Sequence, residues 1–78
     1  MSREELVSLL IELITYCETL RQAPLVSLNR DLATGNWVLT AKWVVQGDEK
    51  ESLNRIARTH GYTVSEADGY TTIQKPQH

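Results

Sequence analysis

An α+β fold in the order αββαββ is predicted by three features of this sequence. Two segments have helical periodicity with acidic first turns, each is followed by a hairpin pattern, and turn-forming residues stand at the breaks between them. The simplest packing is one antiparallel sheet of about four strands with both helices on one face. Two separate hairpins packed around the helices are the alternative.

The first helix is expected from Ser2 to about Arg21. Ser2-Arg3-Glu4-Glu5 has the form of a capping box, in which hydroxyl and carboxylate satisfy each other's free backbone donors. Leu6, Leu10, Leu13, Cys17 and Leu20 recur at helical spacing. Glu4 and Glu5 suit the positive end of the helix dipole, and Arg21 suits the negative end. Pro24 follows as a stop signal.

Leu25 to Val45 reads as a β-hairpin turning through Asp31-Leu32-Ala33-Thr34-Gly35-Asn36. Trp37, Leu39, Ala41, Trp43 and Val45 alternate with Val38, Thr40, Lys42 and Val44, as on the two sides of a strand. The expected register sets Leu28 opposite Leu39, Val26 by Ala41, and Arg30 by Trp37, where a cation–π contact could form.

Asp48 to His60 is the second expected helix, with Asp48 as its N-cap and Leu53, Ile56, Ala57 and His60 as a narrow stripe. Gly61 fits the left-handed residue after its end. Tyr62 to Lys75 is the second hairpin, centred on Asp68-Gly69, whose two positions must both take positive φ in a type I′ turn. That centring pairs Val64 with Ile73 and Tyr62 with Lys75. The two halves share one layout, a capped helix and then a hairpin, without a residue-level repeat.

Seventy-eight residues suit one domain, so residues 1–78 are expected to form a single unit with 76–78 as a frayed tail. A chain of this size buries only about 60% of its unfolded surface. Small domains often supplement such a core with disulfides, a metal or a partner subunit. One cysteine permits no internal disulfide and no cysteine-rich cage, which leaves a second subunit as the supplement. The net charge of −2 lacks the basic surplus that drives nucleic-acid affinity. Glutamates precede the first apolar run and Glu12 interrupts it, unlike a secretory leader, and no run approaches the roughly 20 apolar residues of a membrane span. A cytoplasmic location without membrane insertion is expected.

The first helix carries more apolar surface than one core requires. Leu6, Leu9, Leu10, Leu13, Tyr16, Cys17 and Leu20 fill one sector, and Val7, Ile11 and Ile14 widen it to an arc of about 220° against the usual 100° or so. Leaving those three in water would forgo about 1.5–3 kcal/mol each, a large share of a stability near about 5 kcal/mol. Either the rest of the chain wraps around the helix, or Val7, Ile11 and Ile14 close onto a partner.

Chemical candidates have simpler explanations. Cys17 sits on the apolar stripe as a small hydrophobe rather than a reactive thiolate. His60 fits a helix C-terminus, and His78 falls in the expected tail. Glu4, Glu5, Asp48, Glu49 and Glu51 suit helix N-termini, Glu12 and Glu18 a polar helix face, and Asp31 and Asp68 turns, so no carboxylate pair is left for catalysis. The scattered glycines form no phosphate-binding motif. Trp37 and Trp43 read as core anchors, or as a binding face if the register slips. No catalytic residue, metal site or cofactor is expected. The sequence therefore points to a non-catalytic interaction or assembly module, self-associating as a dimer or docking on another protein. The alternative is a small regulator contacting nucleic acid through Arg30, Lys42, Arg55, Arg58 and Lys75. An enzymatic reading has the least support.

Overall fold

A computed structural model of the chain describes residues 3–76, so the expected cap at Ser2 and the tail residues Gln77 and His78 lie outside the described residues. The elements in order are α1 (Arg3–Tyr16), α2 (Glu18–Arg21), β1 (Val26–Arg30), β2 (Trp37–Ala41), α3 (Asp48–Thr59), β3 (Thr63–Ala67) and β4 (Tyr70–Gln74). The strands form one four-stranded antiparallel sheet in the order β1-β2-β4-β3, with the helices on one side. The architecture is α+β, and the alternative of two separate hairpins does not occur.

Strand alternation and the ladder register together build the core. Leu28 faces Leu39, Leu39 faces Ile73, and Ile73 faces Val64, so one apolar row crosses all four strands beneath the helices. The neighbouring row on the other side of the sheet is Ser27, Thr40, Thr72 and Ser65. One residue of slip would exchange the two rows and put four hydroxyls into the core, which is why the register is so strongly specified. The central pairing is symmetric about Thr40 and Thr72, since Leu39 faces Ile73 and Ala41 faces Thr71. The strand order is the one a two-fold axis at that point would generate from two helix–hairpin halves.

Leu6, Leu9 and Leu13 of α1 are completely buried with Leu39 and Ile73, and Leu53, Ile56 and Ala57 of α3 join the same core. The Asp68-Gly69 turn has φ of 54° and 81°, as a type I′ turn requires.

The structure corrects several local expectations. The first helix does not run unbroken to Arg21. Cys17 takes an extended conformation (φ −117°, ψ 96°) while its N–H still donates to Leu13 O at 2.7 Å, and α2 then sets off in a new direction. What the break gains is visible at Thr19. Its backbone N–H donates to Glu49 Oε1 at 3.3 Å, its hydroxyl donates to Glu49 Oε2, and that hydroxyl accepts from the Trp43 indole N–H at 2.7 Å. Leu20 is buried as well. Tyr16, placed on the apolar sector by periodicity, is exposed at the last turn before the break.

The second strand ends at Ala41 rather than Val45. Lys42 N–H donating to Leu25 O at 2.9 Å is the last rung of its ladder with β1, and Pro24 lies in the bend that precedes β1. Trp43 and Val45 remain buried beyond the ladder, and Trp43 O accepts from the buried Thr71 hydroxyl at 2.6 Å. Arg30 does face Trp37 in register, but the cation over the Trp37 ring is Arg3, 5.9 Å from its centroid.

The N-cap of α3 is Gly47, not Asp48, which is the first helical residue. Gly47 has φ 61° and ψ −135°, a region closed to residues with a Cβ. A Cβ there would meet nothing within 4 Å, so the cost of adding one is purely conformational. The variant Gly47→Ala should therefore lose about 1–3 kcal/mol of stability without disturbing packing. Urea unfolding measures this, and an unchanged midpoint would contradict the backbone argument.

Candidate interaction surface

The position of α1 follows from which of its sides are tied down. At 100° per residue, Leu6, Leu9 and Leu13 fall on the side toward the sheet, and all are fully buried, as is Cys17 just beyond the helix. Glu5 and Glu12 fall on the side toward α3. His60 Nε2 lies 2.7 Å from Glu12 Oε2, and Lys75 Nζ lies 4.0 Å from Glu5 Oε2. The side away from α3 carries Val7, Leu10, Ile11 and Ile14, and beyond it Glu4, Ser8 and Thr15 face outward. Leu10 packs against the edge of the core and Val7 is half-buried, but Ile11 is 61% exposed and Ile14 37%.

Polar groups frame this apolar flank. Arg3, Glu4, Val7 and Ser8 line a shallow hollow of about 260 Å³ at its N-terminal end. Arg21 donates from Nη1 to Ile14 O at 3.3 Å at its C-terminal end. α1 lies over β2, while α3 lies over β3, so β1 sits at the sheet edge beyond α1. The helix-side residues of β1 are accordingly only partly covered, with Leu28 half-buried and Val26 exposed. The sequence pattern singled out Val7, Ile11 and Ile14 from periodicity alone. It missed Val26, because the exposure of that residue depends on strand order, which no local pattern carries.

The other candidates are distributed as follows. Cys17 is buried, and burial, with a lesser contribution from the Glu49 charge, pushes its thiol pKa up, away from nucleophilic reactivity. His60 is engaged with Glu12. Trp43 is a core residue and Trp37 is half-buried at its margin. Among the described residues, no group of three or more His, Cys, Asp or Glu side chains is placed to hold a metal, and every buried side-chain nitrogen or oxygen has a hydrogen-bond partner. No helix among the described residues is long and apolar enough to cross a membrane.

The five basic candidates are not brought onto one face. Arg30 ends β1 on the helix side, whereas Lys42 follows β2 at the opposite end of that hairpin and on the open side. Arg55 and Arg58 are exposed on α3. Lys75 Nζ lies 5.0 Å from the Tyr62 ring centroid and near Glu5.

Comparison of the chain with protein-family models, with curated proteins and with solved structures found no match.

Tyr62 gives a pH dependence that reads out the seat beneath Lys75. Burial first, and the Glu5 charge second, push its phenol up from 10.0 to about 12. The folded chain thus keeps a proton that the unfolded chain releases, so stability falls as pH rises from about 10 to about 12. Part of that decline should vanish in Tyr62→Phe. Denaturant midpoints measured across this range test it, and identical slopes for the two chains would contradict it.

Proposed function

We propose that this protein is a non-catalytic interaction module that binds through the outer flank of α1, with self-association as its mode of assembly. The observation that carries this reading is the exposure of Ile11 and Ile14 beside half-buried Val7, on a helix whose sheet-facing and α3-facing sides are already occupied. Water-exposed aliphatic side chains scattered singly need no explanation, but adjacent ones on a short chain form a patch. Closing that patch recovers burial that a thin core cannot provide by itself.

The reading separates Ile11 from its neighbours in a way that can be measured. Light scattering at high micromolar concentration should give a dimer mass for the natural chain. Ile11→Lys should weaken association at least about tenfold, the equivalent of losing one buried aliphatic side chain. Its thermal melt should stay cooperative, because Ile11 lies outside the core. A natural chain that stays strictly monomeric would sink self-association.

A further inference from the structure

We propose that two copies join through the β1 edge, so that their sheets merge across an antiparallel β1–β1 pair while the α1 flanks face each other above it. This rests on the reading of the α1 flank just given and adds the partner, the strand and the register.

The hydrogen bonds of the first hairpin fix which backbone groups of β1 are unspent. Asp31 N–H donates to Asn36 O at 2.8 Å and Lys42 N–H donates to Leu25 O at 2.9 Å. Alternation within the ladder then assigns Leu25, Ser27, Asn29 and Asp31 to β2 and turns the N–H and C=O of Val26, Leu28 and Arg30 outward. The side chains of these same three residues face the helix layer. α1 lies over β2, the neighbour of β1, and its Glu12 side is turned to α3, so the opposite flank of the helix faces the open β1 edge.

The two edges of the sheet differ in how they are guarded. β3 carries Glu66 on its helix side, held by Lys50 of α3 at 3.2 Å, and α3 packs along that strand. A covering helix and a charge are the usual protections of an exposed edge. Ser27, Leu28 and Asn29 bring no charge to β1, and only Arg30 at its end does.

A second copy fits this edge by charge as well as by hydrogen bonding. With a two-fold axis at Leu28, Leu28 faces its mate and Val26 faces Arg30 of the second copy, so no like charges oppose each other. The same axis sets the two α1 helices antiparallel. Pro24 bounds the pairing on one side and the Asp31 turn bounds it on the other.

The register can be trapped covalently without touching the apolar flank. Ser27 comes opposite Asn29 of the second copy in a pair without mutual hydrogen bonds, about 4.5 Å between Cα atoms, which a disulfide can span. Both side chains point to the open side of the sheet, and Cys17 is buried away from them. An equal mixture of Ser27→Cys and Asn29→Cys chains under mild oxidant should give cross-linked dimers several-fold in excess of either chain alone. In the natural chain, raising the concentration should slow hydrogen exchange at the Val26, Leu28 and Arg30 amides by at least about tenfold. Absence of both effects in a chain whose dimer is still broken by Ile11→Lys would overturn the edge pairing and leave the α1 flank standing. A natural chain monomeric at every concentration would overturn both.

Discussion

Glu12 and His60, 2.7 Å apart, tie one side of α1 to the end of α3, while Leu6, Leu9 and Leu13 fill the space above Leu39 and Ile73. These two attachments fix the rotation of α1, and that setting determines what its surface offers. Ile11 and Glu12 are separated by about 100° around the helix. Turning Ile11 toward the sheet would lift Leu9 and Leu13 out of their seats and strip Glu12 from its partner. Unseating two buried leucines costs about 2–5 kcal/mol each, more than the about 1.5–3 kcal/mol that burying one isoleucine returns, and losing the half-exposed Glu12–His60 contact adds a smaller amount. The helix therefore presents Val7, Ile11 and Ile14 outward as a consequence of satisfying its other sides.

A second set of bonds holds the layers together where the ladders end. The Thr71 hydroxyl donates to Trp43 O, the Trp43 indole donates to Thr19, and Thr19 bonds Glu49 at the start of α3. This chain runs from the central strand β4 through the connector after β2 into both helical segments. It ties α2 to the first turn of α3. Residues distant in sequence thus acquire a common geometry from side chains that are individually unremarkable in type.

Much of the fold was legible because its cues are local. The Asp68-Gly69 turn, the alternation of Trp37, Leu39 and Ala41, and the pairing of Leu28 with Leu39 all follow from short-range pattern, and the structure reproduces them. The break at Cys17 was not legible, since its cause is Glu49 meeting Thr19 across a sequence separation of 30 residues. Gly47 hid behind Asp48 for a different reason. Aspartate is the better N-cap by type, but the backbone there takes a conformation that glycine alone accepts. At the candidate surface, periodicity identified Val7, Ile11 and Ile14, whereas the part played by β1 depends on its place at the sheet edge.

Outward-facing aliphatics on a rotationally fixed helix should report directly on association. Methyl resonances of Ile11, Ile14 and Val7 can be followed by NMR as the natural chain is diluted from millimolar to low micromolar concentration, with Leu6 and Leu39 as buried references. The account expects the first group to shift together along one binding curve while the references hold still. Ile11 and Ile14 methyls that keep constant positions throughout the dilution would contradict it.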